Sequence, residues 1–196
     1  MRADFEIILD WIQPDSRVLD MGCGDGTLLD ILQKQRSVKA YGLEIDSANI
    51  ARCVASGVNV IQQDLNKGVD NFDDAAFDTV VMTQALQTVR RPDRLLDEML
   101  RVGRETIITF PNFGYWPIRA YLMTRGRMPV SKTLPYTWYN SPNIHLCTFH
   151  DFESLCRRKQ IKIINRTVVD HKHRVGIGSR LFPNLLGEVA IYRVTK

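Results

Sequence analysis

Residues 18–26 read VLDMGCGDG and place three glycines at alternating positions directly after a short apolar run. Because glycine has no Cβ, a loop of this kind lets a bound molecule approach the backbone closely. Asp20 lies two positions before the first glycine, at the end of the apolar run. A carboxylate there can meet a positively charged group of a ligand, directly or through water. The stretch therefore combines two features of a site for a small molecule that carries a positive charge.

The spacing of the glycines separates this loop from two phosphate-binding loops. The dinucleotide pattern G-x-G-x-x-G would put its third glycine at position 27, where Thr27 stands, and no Lys-Ser/Thr pair follows as in a P-loop. The D-x-G-x-G-x-G form resembles motif I of the class I S-adenosylmethionine-dependent methyltransferases. The resemblance implies that S-adenosylmethionine or S-adenosylhomocysteine binds here, with Asp20 near the ammonium group of the cofactor. The contacts it implies in this loop are Asp20, Gly22, Cys23, Gly24 and Gly26.

Acids after the second and third predicted strands are candidates for contacts to a nucleoside. Glu44 ends the run YGLEID, where a carboxylate can accept hydrogen bonds from both ribose hydroxyls. Dinucleotide-binding folds use the same device, so Glu44 indicates a nucleoside without choosing the cofactor. Asp46 is the rival acid, although Asp46 or Ser47 is also expected to cap the following helix. Asp64 resembles the adenine contact of the methyltransferases, with Leu65 packing nearby, and its alternative is a simple turn acid.

The elements that must position these residues alternate along the chain. Apolar runs predict strands at 17–22, 38–46, 58–64, 77–83, 106–111, 161–170 and 188–196. Helical spacing and end signals predict helices at the N-terminus and at 27–35, 47–57, 92–103 and 149–160. This alternation is typical of a mostly parallel sheet. Only residues 171–187 separate the last two strands, so a hairpin-like return would make the last strand antiparallel.

The fold class expected from these elements is α/β and Rossmann-like, as in class I methyltransferases. We expect a mostly parallel seven-stranded sheet with an antiparallel last strand and helices on both faces, forming one domain over residues 1–196. In such folds the residues after the fourth strand meet cofactor and substrate. Thr83, Gln84 and Leu86 are therefore weaker candidates for the cofactor site, and Ile45, next to Glu44, completes the expected set.

Length and composition exclude several classes of protein. A chain of 196 residues with 44% apolar and 24% charged residues suits one globular domain. No apolar run approaches the roughly 20 residues of a membrane span, and the N-terminus predicts an amphipathic helix instead of an export signal. The four cysteines form no C-x-x-C and no zinc spacing. We therefore expect no metal site and reduced thiols in a cytoplasmic protein.

The charge is distributed unevenly along the chain. Residues 1–105 carry 12 Lys/Arg and 18 Asp/Glu. Residues 106–150 carry 4 Lys/Arg and no Asp/Glu, and residues 151–196 carry 10 Lys/Arg and 4 Asp/Glu. The acidic front half argues against a nucleic-acid binder, which needs a basic face without competing carboxylates. The basic back half suits a small anionic molecule or an acidic patch on a partner protein, or is a solvated surface.

The longest stretch without a clear period is an aromatic and basic insertion at about 112–148, which we call the aromatic segment. Residues 106–150 hold 9 of the 17 aromatic residues of the chain and no acid. Tyr, Trp and Arg are enriched at interface hot spots, and they also suit the lid of an acceptor pocket or a plain cover over the cofactor. The candidate partner or acceptor residues are Trp116, Arg125, Arg127, Tyr136, Trp138, Tyr139 and His145, with Lys132 adding to the basic charge.

The blocks PNFGYW and RGRMPV…PYTWYNSPNIHLCT, together with the glycine loop, resemble the methionine-biosynthesis MetW family from about residue 16 to the end. The resemblance implies a class I methyltransferase fold and association with a MetX-type homoserine O-acyltransferase. It implies no catalytic residue and no methyl acceptor. Two hypotheses follow: a partner or regulatory subunit that binds the cofactor, and a small-molecule methyltransferase.

Candidates for a general base do not choose between these hypotheses. His145 is more readily explained as a structural histidine, and His150 begins a predicted helix that Thr148 or Asp151 caps. His171 and His173 would form a metal pair that lacks a third ligand. No G-x-S-x-G nucleophile elbow occurs, so the acyl-transfer chemistry would belong to the partner. Tyr139 is the last candidate base.

Overall fold

The computed structural model describes residues 3–131, 133–169, 178 and 181–196. Within this part of the chain, seven strands form one sheet: β1 (Arg17–Met21), β2 (Lys39–Glu44), β3 (Asn59–Gln62), β4 (Phe77–Thr83), β5 (Gly103–Pro111), β6 (Lys162–Val169) and β7 (Val189–Thr195). The longer helices are α1 (Ala3–Trp11), α2 (Thr27–Arg36), α3 (Ser47–Ala55), α4 (Pro92–Val102), α5 (Trp116–Arg125) and α6 (Phe149–Arg158). Short helical turns lie at Leu65–Lys67, Leu86–Thr88 and Pro183–Leu186. Lys132, His171 and His173, which the sequence singled out, lie outside the described residues.

The strand order is β3-β2-β1-β4-β5-β7-β6. Strands β1 to β5 pair in parallel, whereas β7 is antiparallel to both of its neighbours, β5 and β6. The chain runs outward from β1 to β3 and then returns to β4 on the other side of β1. Ligands of open α/β sheets bind outside the carboxyl ends of the strands at such a reversal. The predicted mostly parallel sheet with a reversed last strand is confirmed.

Helices cover both faces of the sheet, because alternate residues of the central strands point to opposite sides. On one face, α1, α2 and α3 pack against Val18, Val81 and Ile107. On the other face, α4 and α6 pack against Leu19, Met82 and Ile108, among others. The central strands β1, β4 and β5 are therefore largely buried on both faces, as their continuous apolar runs indicate.

Local signals set several helix ends where the sequence predicts them. The Asp46 side chain caps α3 by accepting from the Asn49 N–H at 2.9 Å. Thr148 and Asp151 form a reciprocal capping box at the start of α6. These caps satisfy backbone donors that have no partner inside a helix. Strand β5 begins three residues earlier than predicted, because the chain leaves α4 directly into the strand at Gly103.

The expectation of an irregular stretch over residues 112–148 is wrong for its first third, which forms α5. Pro117 lies in the first turn, and Gly126 ends the helix in the left-handed conformation, with its N–H donating to the Leu122 carbonyl at 2.9 Å. Only Ile118 of this helix is buried. A helix that buries one side chain has no apolar stripe, so its period is not readable from the sequence.

Two features are absent from the described residues. No helix among them is long and apolar enough to span a membrane. No group of three or more His, Cys, Asp or Glu side chains in the same residues is placed to hold a metal ion.

Candidate functional site

The glycine loop is held against the neighbouring strand by its own backbone. Gly22 N–H and Cys23 N–H both donate to the Leu43 carbonyl of β2, at 2.8 Å and 3.1 Å. Gly22, Gly24 and Gly26 have φ values of 80°, 57° and 79°, in the left-handed region that favours glycine. Gly26 is also the residue from which α2 begins. The alternating glycines are therefore required by the shape of the turn as well as by any ligand above it.

The Glu44 carboxylate organises the turn between β2 and α3. Its Oε2 accepts from Gly24 N–H at 2.8 Å, and its Oε1 accepts from Ile45 N–H at 2.7 Å and Asp46 N–H at 2.9 Å. The side chain thus ties the glycine loop to the end of the second strand. A carboxylate oxygen can accept two hydrogen bonds, so Oε2 keeps capacity for a ligand hydroxyl.

A cleft of about 310 Å³ opens at the carboxyl ends of β1 to β4. This volume lies at the lower end of the range for small-molecule pockets. Five residues predicted for the cofactor site line the cleft: Gly22, Glu44, Ile45, Asp64 and Leu65. The other lining residues are Leu43, Gln63, Asn66, Ala85, Thr88 and Val89. The structure therefore brings the strand-end residues of the first three strands together around one cavity.

Asp64, which lines this cleft, also has a structural role. It begins the helical turn Leu65–Lys67, accepting from the Asn66 backbone N–H at 2.9 Å and from the Asn66 side chain at 3.1 Å. These hydrogen bonds hold the pKa of Asp64 below its usual value. Asp64 is therefore a turn acid, as the alternative interpretation predicts, and its charged carboxylate also lines the cleft.

The remaining predicted residues of the loop lie outside the lining of the cleft. Asp20 is 1% exposed at the end of β1. Burial raises the pKa of the Cys23 thiol, and the nearby Asp20 carboxylate raises it further. The Cys23 and Cys53 sulfur atoms lie 3.9 Å apart, and both thiols are free. Cys53, from α3, also donates to the Gly24 carbonyl at 3.3 Å, so α3 buttresses the loop from behind.

The wall of the cleft after β4 is formed by Ala85, Thr88 and Val89, which no sequence signal identified. Thr83 ends β4, and Gln84 follows with a φ of 52°. The short helical turn Leu86–Thr88 comes next and has three residues per turn, so positions three apart share a side. Ala85 and Thr88 therefore face the cleft, while Leu86, a weaker candidate, is buried. A short helical turn of this kind leaves no periodic signal in a sequence.

The end of the aromatic segment packs onto the same helical turn. Ile144 N–H and His145 N–H donate to the Gln87 carbonyl at 3.0 Å and 3.1 Å. The His145 Nε2 atom lies 3.3 Å from the Arg90 carbonyl. These contacts support the structural interpretation of His145 and place the segment beside the cleft.

Most of the other side chains predicted for the partner or acceptor surface are exposed. Of the 19 large apolar side chains that are exposed in the described residues, 11 lie between positions 116 and 146. Among them are Trp138 and Tyr139, which are 79% and 73% exposed and whose rings contact each other edge to face. Trp116, Tyr136, Arg125 and Arg127 are exposed as well. This concentration is larger than the single apolar residues that are usually scattered over a protein surface.

Comparison with known proteins assigns the family. The chain matches the family described as methionine biosynthesis protein MetW over residues 2–194. The chain belongs to the MetW family. A relative from Rhodopirellula baltica, the bifunctional methionine biosynthesis protein MetXA/MetW, is 34% identical over 200 residues, which cover 97% of this chain and 32% of the relative. This MetW-family chain thus spans about a third of the length of that relative.

Two further similarities concern methyltransferases. A demethylmenaquinone methyltransferase from Symbiobacterium thermophilum is 31% identical over 153 residues, covering 64% of this chain and 60% of that protein. The crystal structure of an S-adenosylmethionine-dependent methyltransferase from Mesorhizobium loti superposes with a TM-score of 0.70 at 16% identity, covering 99% of this chain and 98% of that one. The MetW-family chain therefore has the class I methyltransferase fold.

Proposed function

We propose that this MetW-family protein binds S-adenosylmethionine or S-adenosylhomocysteine in the cleft at the carboxyl ends of β1 to β4 and associates with a MetX-type homoserine O-acyltransferase of methionine synthesis. The observation that carries the cofactor assignment is the convergence of the glycine loop, Glu44 and Asp64 on one cavity. These residues come from three separate strand ends, so their meeting is a property of the folded chain.

The residues around the cleft fit the chemical groups of this cofactor. Glu44 Oε2 can accept from a ribose hydroxyl in addition to the Gly24 N–H. The charged Asp64 can accept from the exocyclic amine of adenine, with Leu65 against the ring. Asp20, which lies outside the lining of the cleft, can stabilise the amino-acid ammonium through water. When bound, S-adenosylmethionine supplies an electrophilic methyl group on its sulfonium.

The partner assignment rests on two observations. The relative from Rhodopirellula baltica carries MetXA and MetW in one bifunctional protein. The aromatic segment exposes Trp138, Tyr139, Arg125 and Arg127, while residues 106–150 contain no acid. Aromatic and arginine side chains dominate interface hot spots, and a surface without carboxylates suits an acidic face on the partner.

Cofactor binding and partner binding are expected to be linked. S-adenosylmethionine is made from the product of the pathway, so its binding here can report methionine supply to the first committed step. The aromatic segment contacts the Gln87 carbonyl, and neighbours of Gln87 line the cleft, so one element touches both proposed sites. Linkage is reciprocal, so the partner must change cofactor affinity by the same factor.

A second candidate function is methyl transfer to a small molecule. It is favoured by the 31% identity to a demethylmenaquinone methyltransferase over 64% of this chain. Methyl transfer from a sulfonium needs mainly alignment and desolvation, so a missing catalytic base does not count against it. In this function the aromatic segment is a lid over the acceptor.

Calorimetry tests the cofactor part of the proposal. Purified protein should bind S-adenosylmethionine and S-adenosylhomocysteine but not NAD. The variant Glu44→Gln keeps the shape of the side chain and removes its charge, so it should weaken binding by about 1–3 kcal/mol. Glu6→Gln, an exposed site on α1, is the matched control and should bind normally. Equal affinity of the Glu44 variant and the wild type would remove Glu44 from the site.

The partner part is tested with the acyltransferase from the same source. The two proteins should co-elute in size-exclusion chromatography, and S-adenosylmethionine should change the amount of complex or the acyltransferase rate. A chain that binds the cofactor, ignores the acyltransferase and methylates a small acceptor would establish the second function instead.

A further inference from the structure

A second cavity, a groove of about 440 Å³, lies between the loop after β3 and the start of α4. Its lining residues fall within 65–70 and 89–98, and the structure describes this part of the chain without a gap. The volume lies in the range of small-molecule pockets. Buried Val89 and Leu95 line it together with exposed charged side chains, so the groove is open to solvent.

Four basic side chains line the groove: Lys67, Arg90, Arg91 and Arg94. All four are exposed. The Arg91 Nη2 atom lies 2.9 Å from the Asp93 carboxylate, so this charge is already compensated. The other three form no ion pair with any residue in the described part of the chain. Three cations are therefore available to a ligand in the groove.

The acids of the groove are mostly compensated from outside it. Asp97 Oδ2 lies 2.7 Å from Lys159 Nζ, and Glu98 Oε2 lies 2.9 Å from Arg101 Nη2. Neither cation lines the groove. Asp70 is the one lining acid without an ion pair among the described residues. Three cations thus face one acid, and the groove carries an excess of two positive charges.

We propose that this groove binds the phosphate group of a small molecule, with Lys67, Arg90 and Arg94 as its cations. A phosphate monoester carries about 1.5–2 negative charges at pH 7 and three strong acceptor oxygens, which matches the excess charge of the groove. Arginine binds phosphate through paired N–H donors, and lysine binds it as a point charge. The groove is basic although residues 1–105 as a whole are acidic, so its charge is local.

Asn66 joins the groove to the cofactor cleft. Its Oδ1 accepts from Arg90 N–H at 2.8 Å, and its backbone and side-chain N–H groups donate to Asp64 at 2.9 Å and 3.1 Å. Leu65, Asn66 and Val89 line both cavities. A ligand that moves Arg90 therefore also moves the residue that orients Asp64. We expect the phosphate and the cofactor to change each other's affinity; this coupling rests on the proposed function, whereas the phosphate site does not.

Titration of isotope-labelled protein with glycerol 3-phosphate, at constant ionic strength, tests the site by NMR. The backbone signals of residues 65–70 and 89–98 should shift, and the shifts should saturate at millimolar concentration. Glycerol, which has no phosphate, should cause no shift. Succinate, whose two charges lie on separate carboxylates, should bind more weakly. Shifts that do not saturate with glycerol 3-phosphate, or tighter binding of succinate, overturn the proposal.

Variants that change the charge of the groove test the same assignment in both directions. Arg90→Gln combined with Arg94→Gln should weaken phosphate binding at least about tenfold, as expected for lost charged hydrogen bonds. Arg158→Gln, at an exposed site on α6, is the control and should bind normally. Asp70→Asn should strengthen binding about two- to fivefold, since it removes the remaining acid, and damage to the fold does not produce such a gain. Unchanged affinity in the double variant, or weaker binding in Asp70→Asn, overturns the proposal.

Calorimetry with S-adenosylmethionine, with and without glycerol 3-phosphate at the same ionic strength, measures the coupling. The two affinities should differ, and the cofactor should change phosphate affinity by the same factor. Phosphate binding by a protein that binds no cofactor would refute the proposed function and support the groove. Cofactor binding without phosphate binding overturns the groove alone. Acyltransferase binding that is lost in the double variant, with no phosphate bound by the wild type, would assign the groove to the partner and overturn the proposal.

Discussion

The glycine loop and the aromatic segment adjoin the same edge of the sheet, but within the described residues they differ in how far their polar and apolar groups are satisfied. Around the loop, the Glu44 carboxylate accepts from three backbone N–H groups, and the loop itself hydrogen-bonds to β2. Around the segment, aromatic rings are exposed, and Glu188 Oε2 lies buried beneath without a donor among the described residues.

The difference indicates two kinds of recognition. A loop that satisfies its own polar groups is preorganised, so little ordering is needed when a cofactor binds. Covering the exposed Trp138 and Tyr139 side chains with another surface lowers the free energy, so this surface favours association. Changes in the loop should therefore act through the stability of the fold, whereas changes in the segment should act on binding and leave the fold intact.

The largest expected effect is on the loop side. Gly26→Ala should lower the free energy of unfolding by about 2–5 kcal/mol, since the left-handed backbone costs ~1–2 kcal/mol and overpacking adds ~1–3 kcal/mol. The overpacking arises because the new Cβ would lie 2.9 Å from Cys53 Sγ. Gly24→Ala is the matched control: it has the same backbone strain, but no atom lies within 4 Å of its Cβ. Urea denaturation of both variants measures the difference, and equal losses would show that Cys53 does not support the loop.

On the segment side, Trp138→Ala should weaken the complex with the acyltransferase by about 2 kcal/mol or more. Because the side chain is 79% exposed, the free energy of unfolding should change by no more than about 0.5 kcal/mol. Val54→Ala removes an exposed apolar side chain from the front half and should leave the complex unchanged.

The basic side chains of the segment should act on the rate of association. Arg125→Glu combined with Arg127→Glu should slow binding, chiefly at low salt. Surface plasmon resonance separates this effect from that of Trp138→Ala, which should speed dissociation. Normal partner binding by Trp138→Ala, combined with lost methylation of a small acceptor, would make the segment a substrate lid.

The smallest effect concerns buried thiols. Burial raises the pKa of Cys156 to about 11 from an ordinary value of 9.0. The folded state therefore holds the proton more tightly than the unfolded state, and this contribution to stability is complete below pH 9 and is lost as the pH rises through 11. The free energy of unfolding, measured in urea, should fall between pH 8 and pH 10. This fall should be larger in wild type than in Cys156→Ala by on the order of 1 kcal/mol. Identical pH dependence of the two proteins would remove Cys156 as the cause.

The order of the helices and strands, and much of the lining of the cleft, could be read from the sequence because the signals are local. Apolar runs predicted β1 and β4, and the acids at strand ends identified Glu44 and Asp64. A reversed last strand followed from the short connection before it. The helix α5 could not be predicted in this way, since a helix that buries only Ile118 has no periodic apolar face.

The sequence by itself determined the fold class, the glycine loop and the family, because each depends on residues close together in the chain. Only the tertiary structure decided that Ala85, Thr88 and Val89 form a wall of the cleft and that Glu44 holds the Gly24 N–H. The same is true of Glu188, which the sequence presents as one more acid before a strand. Its burial under Thr133 joins positions 55 residues apart, and such a contact depends on how the sheet and the aromatic segment pack, which no local pattern encodes.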